Sequence, residues 1–322
     1  PSEIGMLSNF EKLVLNDNNL NGTIPSELWS LSRLTHLHLF TNNLSGTISN
    51  KVGYLTNLDA TLNLSSNIFT GQVPRELGML NNLQRIDLSN NRLTSSLLHL
   101  GNSTALTYLN LSHNILTSFP LSTNWNELET LDLIENRINQ DISAGITSLL
   151  SMKDLFLSNN LFYGSIPNEI GSLVHMERLH LDHNYLFGTI PDDILSLMRL
   201  RELKLSHSRQ EKQCFSDKFD YCTVHPRIYD GGVVCCNQVN GQRICSDEAG
   251  VERVNNNAYF CLSPALHGPI PAGFANTRYL QHLELSNNFL SGNIPPEMGS
   301  MSRLKTLDVT DNTFTGSIPS AL

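Results

Sequence analysis

The sequence predicts an α/β solenoid: short coils wound right-handed, with a parallel sheet on the concave side and short helical or 3-10 turns on the convex side. One small disulfide-rich insertion interrupts it. Three observations carry this. A motif LxLxxNxLxGxIPxxLGxLxxL recurs along the 322 residues. Its opening pairs begin at residues 13, 37, 62, 86, 109, 131, 155, 179, 203, 283 and 307, so nine of the ten gaps lie between 22 and 25 residues and one is 80. All six cysteines fall inside that one long gap. Self-similarity at such a period means that no unit buries its apolar face alone and that stacking does it.

Each motif position has a physical task. In LxL the two leucines point inward and the residue between them outward, as strand alternation requires. The following Asn sits where the chain leaves the strand, and its amide can satisfy buried turn backbone in its own and the next coil. Ten of eleven units carry it: Asn18, Asn42, Asn67, Asn91, Asn114, Asn136, Asn160, Asn184, Asn288 and Asn312. The Gly of GxIP permits positive φ or close approach. The Pro suits an extended edge and starts the next turn. Units starting at 86, 109 and 131 read RLTSSLLHLG, ILTSFPLSTN and RINQDISAGI after their Asn and lack GxIP, so the second, convex-side strand is expected to be interrupted there, with altered curvature.

With these motifs the chain resembles the leucine-rich repeat family, and its GxIP segment resembles the plant-type subclass. The resemblance covers roughly four fifths of the chain. It implies a right-handed leucine-rich-repeat solenoid of the kind found in extracellular receptor ectodomains and in secreted polygalacturonase-inhibitor proteins. The expected organisation is repeats over 1–208, a cysteine-rich insertion over 209–265, and repeats again over 266–322. An insertion at this place resembles the island of plant steroid-hormone and peptide-hormone receptors. In that family the island folds over the concave face and completes the ligand pocket; the likeness concerns position only, and no contact residue carries over.

Ser208 stands where the ladder Asn is missing, at the break. Cys214, Cys222, Cys235, Cys236, Cys245 and Cys261 lie in a segment too small for a good core, which reads as a disulfide-stapled module in an oxidising, secretory compartment. A zinc site is the rival, but there is no CxxC pair and only His225 as a nearby imidazole. Within Val239-Asn240-Gly241-Gln242, Asn-Gly between β-type residues signals a two-residue hairpin turn. Counting outward pairs Cys236 with Cys245 at a non-hydrogen-bonded position, with Cα atoms about 4.5 Å apart, within reach of a disulfide. A bulge would shift the register and make Cys235 the partner of Cys245. Five N-x-[ST] sequons agree with secretion: Asn21, Asn43, Asn63, Asn102 and Asn110, although the repeat consensus generates some by itself. Asn63 and Asn110 sit within LxL strands, so glycans there would cover part of the concave face.

Composition narrows the function classes. At 40% hydrophobic the chain can build a continuous core, which excludes general disorder. Charged residues are only 16%, with Asn and Ser filling the gap. A net charge of −9 gives no basic face for a nucleic acid. No apolar run reaches a membrane-spanning length, and the start PSEIGMLSNF has no signal-peptide pattern. Pro1 aligns with the Pro of GxIP and the chain stops at GSIPSAL, without a Cys-bearing cap at either end. The natural protein is therefore expected to continue both ways, with any leader, membrane anchor or kinase domain outside this stretch.

The outward strand positions are the candidate binding face. Phe156, Arg178, His180, Asp182, His183, Glu202, Lys204 and His207 are the candidate ligand-binding residues, varied and charged beside the insertion. Seven of eleven histidines fall on this face, and His183 and His207, with Asp182 nearby, allow a ligand contact, a pH-sensitive contact or a metal site; the alternative is a solvated polar face where His is simply tolerated, and no metal is expected. No catalytic motif such as GxSxG, HExxH or GxxxxGK[ST] occurs, so the chain reads as a binding module with no cofactor and not as an enzyme. The expected partner is a peptide, small hormone or microbial molecule, with a co-receptor as a further partner. An inhibitor of a wall-degrading glycosidase and a structural role in adhesion or ice binding are the alternatives.

Overall fold

In a computed structural model each LxL pair forms a short strand. The structure describes residues 2–58, 60–94, 105–120, 125–142, 145, 149–207 and 265–322, and the backbone alone of 235–239, 242–246, 253–254 and 257–258. The eleven concave strands lie in chain order in one parallel sheet. Their register is leucine on leucine: Leu13 pairs with Leu37, Leu155 with Leu179, Leu179 with Leu203, and Leu203 with Leu283. Because side chains alternate, this register drives every first leucine into one inward column. Leu37, Leu62, Leu131, Leu155, Leu179 and Leu203 are fully buried in it.

The convex turns are five-residue 3-10 segments, such as Ser26–Ser30, Asn168–Ser172 and Asp192–Ser196. No α-helix occurs among the described residues. Two strands and their turns leave little chain per coil, and i→i+3 bonds close a turn in fewer residues than i→i+4 bonds. The Pro of GxIP occupies the N-cap position of these segments, with φ −58° at Pro25, −72° at Pro167 and −69° at Pro191. Where unit two has Ser instead, Ser49 Oγ accepts from the Lys51 N–H at 3.2 Å. The Gly of GxIP is needed on two counts in unit three: Gly71 has φ +77°, and a Cβ there would stand 2.8 Å from Thr47 Cγ2 of the coil before.

A second parallel strand per coil flanks the core in two blocks. One runs through Asn21–Thr23, Asn43–Thr47, Ile68–Gln72 and Arg92–Thr94. The other runs through Tyr163–Ser165, Tyr185–Thr189, Leu266–Gly268, Phe289–Gly292 and Thr313–Phe314. As the missing GxIP predicts, units five and six form no second strand among the described residues, although an isolated parallel bridge joins Asp141 of unit six to Tyr163. Unit four departs from that expectation: Arg92–Thr94 pairs with Thr70–Gln72, because Leu93 is buried and its N–H is held by Asn114 Oδ1 at 2.9 Å. In unit six a side chain takes the place of a strand. Gln140 Oε1 accepts from the Phe119 N–H at 2.9 Å, while Gln140 Nε2 donates to the Phe119 carbonyl at 2.8 Å.

The ladder asparagines tie the coils together. Asn184 Nδ2 donates to the carbonyls of Leu157, Leu181 and Asp182 at 3.0, 3.0 and 3.2 Å, and its Oδ1 accepts from the Phe162 N–H at 3.0 Å. Asn42, Asn67, Asn91, Asn114, Asn136, Asn160 and Asn288 repeat this set. The inter-coil bonds run back to the preceding coil, not forward to the next as the sequence reading had it. Asn18, with no repeat strand before it, keeps only bonds within its own coil, to Leu15 and Asn16.

Neither sheet breaks at the insertion. Glu202–Lys204 pairs with Arg178–His180 on one side and His282–Glu284 on the other. Leu266–Gly268 sits between Tyr185–Thr189 and Phe289–Gly292. Asn288 holds both roots, donating to the Leu205 carbonyl at 2.9 Å and accepting from the Leu266 N–H at 3.3 Å. Inside the insertion, Cys235–Val239 and Gln242–Ser246 pair antiparallel with Val239 opposite Gln242 and Cys236 opposite Cys245, the register counted from Asn-Gly. The sulfur positions, Ser208 and Cys214, Cys222 and Cys261 lie outside the described residues.

Two outcomes follow from this packing. Asn184 is 1% exposed, so Asn184→Ala strands buried donors and acceptors in two coils and should cost roughly 2–4 kcal/mol in chemical denaturation; an unchanged midpoint would remove the ladder from its structural role. On the hairpin register we propose a Cys236–Cys245 disulfide. Cys236→Ser should then free one thiol, and alkylation followed by mass spectrometry should find the label on Cys245. A label on any other cysteine would exclude the bond.

Candidate functional site

Strand register arranges the concave side chains in columns. The residue before the first leucine gives Asp154, Arg178, Glu202 and His282 in units seven to ten. The residue between the leucines gives Phe156, His180, Lys204 and Glu284. Ser158, Asp182, Ser206 and Ser286 follow the second leucine. Asn159, His183, His207 and Asn287 come next.

That last column has a backbone cause. In every unit the residue immediately before the ladder position has a left-handed φ of 52° to 56°, from Asp17 through His113, His183 and His207 to Asp311. Asn, Asp and His are the non-glycine residues that tolerate this conformation best. Three of the seven concave histidines therefore stand where the turn selects for their type, and their presence is not in itself a sign of a ligand.

The first two columns pair their side chains in two neighbouring sets. Arg178 Nε and an Nη donate to the two carboxylate oxygens of Asp154 at 2.6 and 2.8 Å, a bidentate pair that holds the guanidinium pKa above its ordinary value. The guanidinium also lies 5.1 Å from the Phe156 ring, and Phe156 contacts the His180 ring at 4.8 Å between centroids. His180 Nε2 meets Glu202 at 3.1 Å, and Lys204 Nζ meets Glu284 at 3.3 Å. Burial holds the His180 pKa below its ordinary value, against the opposing pull of Glu202.

The third and fourth columns make a second cluster. Asp182 accepts from Ser158 Oγ at 2.5 Å and pairs with His183 Nδ1 at 2.9 Å. The His183 and His207 rings stack with centroids 4.1 Å apart and planes 12° from parallel. Asn287 Nδ2 lies 3.2 Å from His207 Nε2, while His207 Nδ1 is buried without a partner among the described residues. The stacked rings direct their nitrogens in parallel planes, and no group of three His, Cys, Asp or Glu ligands converges among the described residues.

The structure thus brings all eight candidate residues into two adjoining clusters. Sequence reasoning puts Asp154, Glu284 and Asn287 at outward concave positions but not among the candidate residues, although aligning the units by their leucines already sets Asp154 beside Arg178 and Lys204 beside Glu284. It missed a cation–π contact in the first half, where the Arg85 guanidinium lies 3.9 Å from the Tyr108 ring.

Known proteins share this architecture. The Leucine Rich Repeat family profile matches residues 9–31, 82–102, 151–173, 175–197, 279–301 and 303–322. Among solved structures, the plant peptide hormone receptor RGFR1 in complex with RGF2 superposes with a TM-score of 0.76 at 26% identity, covering 100% of this chain and 47% of that one. The Arabidopsis receptor kinase HAESA ectodomain, in complex with an extended IDA peptide hormone, gives 0.74 at 27% identity, with 100% and 45% covered. The Arabidopsis thaliana membrane receptor kinase GASSHO1/SCHENGEN3 ectodomain, in complex with CASPARIAN STRIP INTEGRITY FACTOR 2, gives 0.73 at 28% identity, with 100% and 35% covered. The chain spans less than half of each of these receptor chains. A curated adenylate cyclase of Schizosaccharomyces pombe is 38% identical over 90 residues, which is 27% of this chain and 5% of that protein. No helix among the described residues is long and apolar enough to cross a membrane.

The lowered His180 pKa sets a pH response. Its contribution to stability is fully present above the unfolded imidazole value, roughly 6.5, and is lost as pH falls through the lower folded value. His180→Gln should flatten the decline of Tm between about pH 7 and 5 in a thermal-unfolding series. An identical slope in the variant would assign the decline to other groups.

Proposed function

The chain is a leucine-rich-repeat solenoid of plant receptor architecture, and on that premise we propose that it is part of the extracellular ectodomain of a cell-surface receptor that binds a peptide across concave units seven to ten. One observation carries the reading. A linked run from Asp154 and Arg178 through Phe156 and His180 to Glu202, and the ion pair Lys204–Glu284 next to it, line four adjacent strands beside the insertion. At about 4.8 Å per strand the row spans roughly 14 Å, which matches about four residues of an extended peptide. Its charges are paired in register and its aromatic ring is held between two polar partners, so the surface is preorganised. A bound peptide exchanges these pairings for its own, and electrostatic matching then sets which peptide fits.

Peptide binding by the similar receptors supports the ligand class, and the insertion favours a receptor over a secreted enzyme inhibitor, whose solenoid resembles an uninterrupted array. Extracellular placement, disulfides in the insertion and a co-receptor on a neighbouring surface belong to the same reading.

The test is a panel of synthetic peptides of about 12 residues with varied charge and free or amidated termini, measured by interferometry on the immobilised chain. For any binder, Arg178→Ala or Phe156→Ala should weaken affinity at least about tenfold, since each removes a central anchor. Tyr54→Ala, an exposed convex residue, should change nothing. A binder insensitive to both concave substitutions and lost on the convex one would overturn the assignment.

A further inference from the structure

Two classes of asparagine use their amides differently. A ladder residue such as Asn160 donates Nδ2 to the carbonyls of Leu133, Leu157 and Ser158 and so has no nitrogen to modify. None of the ten ladder asparagines lies in an N-x-[ST] sequence. Asn63 and Asn110 stand in the outward position between two strand leucines and work through oxygen. Asn63 Oδ1 accepts from the Ser65 N–H at 2.9 Å and the Ser65 hydroxyl at 2.7 Å. Asn110 Oδ1 does the same with Ser112 at 3.0 and 2.8 Å. Asn63 Nδ2 makes no hydrogen bond among the described residues, and Asn110 Nδ2 has only a long 3.4 Å contact with Tyr108 Oη.

The same column shows that the nitrogen is dispensable for folding. Asp87 accepts from the Ser89 N–H and hydroxyl at 3.0 and 2.7 Å, and Asp308 from those of Thr310 at 3.0 and 2.7 Å. A carboxylate oxygen does the structural work of the amide oxygen, so the fold places no demand on the nitrogen of Asn63 or Asn110.

Position adds a second observation. The five sequons all lie between residues 21 and 110, and none occurs among the 19 asparagines from 111 to 322. Across the sheet the column reads His38, Asn63, Asp87, Asn110 and Asp132. Asn63 and Asn110 are two strands apart, about 10 Å. The column continues as Phe156, His180, Lys204 and Glu284, with no sequon.

We infer that Asn63 and Asn110 carry N-glycans that cover the concave face of units three to five and confine the peptide partner to units seven to ten. This rests on the secretory reading above. In the transfer, Nδ2 attacks the anomeric carbon of a lipid-diphosphate-linked oligosaccharide. The N–C bond forms, the sugar–phosphate C–O bond breaks, the lipid diphosphate leaves and the amide proton passes to solvent. The modified amide keeps its oxygen, so the bonds to Ser65 and Ser112 survive on the folded face.

The experiment is glycopeptide mass spectrometry on the chain secreted from insect or plant cells, beside an Asn63→Asp/Asn110→Asp variant, with hydroxyl-radical labelling of Tyr108 as the accessibility readout. Asn21 and Asn43, exposed on the second sheet, are internal controls for secretion. All four sites occupied, with Tyr108 labelling severalfold higher in the variant at an unchanged Tm, is the expected result. Occupied Asn21 and Asn43 with bare Asn63 and Asn110 would overturn the inference and leave the secretory reading standing. No occupied site would overturn both. Occupied strand sites with equal Tyr108 labelling would overturn the shielding.

Discussion

A side-chain amide that bonds to two coils at once is the interaction on which the rest of this structure depends. The concave strands are three residues long or shorter in their ladder contacts, too short to hold neighbours firmly by backbone pairing alone. Each ladder asparagine after Asn18 adds a bridge at the turn, where backbone groups would otherwise be buried without partners. Because such bridges act between nearest neighbours, stability accumulates coil by coil and not from one central core. The amide requirement also accounts for a composition with few charges and many asparagines: a carboxylate or a lysine could not donate and accept in the same buried corner.

How far the sequence discloses this arrangement depends on the kind of force involved. The spacing of Leu155, Leu179 and Leu203 is legible because burial repeats with the coil, and that spacing fixes the register across the sheet. The hairpin register from Val239 and Gln242 to Cys236 and Cys245 is legible because one turn type determines it. The left-handed column is not, since nothing in a single His183 or Asn159 distinguishes a residue chosen for its dihedral from one chosen for its ring. Nor is the pairing by Gln140 of both polar groups of Phe119, because a side chain replacing a strand leaves no periodic trace. The candidate residues were visible as a set, but which atom meets which emerged only from geometry: Arg178 turns to Asp154 on one side while its face lies against Phe156.

The concave surface answers to two masters. Its fourth column serves the backbone, its third secures turns, and only the first two are free to vary in charge and shape. Asp87, Asn110, Asp132 and Asp308 show how even the second column is partly recruited to hold the chain behind it. In units seven to ten that recruitment is relaxed. Phe156, His180, Lys204 and Glu284 instead bond sideways to one another or to neighbouring columns, which is where specificity has room to evolve.

Asn288 grips the chain on both sides of the insertion, at Leu205 and at Leu266, and the coil there closes with the same bonds as an uninterrupted one. The solenoid therefore closes in the same way whatever the length of the chain between those two points. Closing a longer loop across a fixed gap costs only about 0.6 kcal/mol for each doubling of its length, a small change beside the burial that stabilises the flanking coils. A change in that length leaves the anchors at Leu205 and Leu266 where they are, so the scaffold sets almost no limit on how much chain the gap can carry.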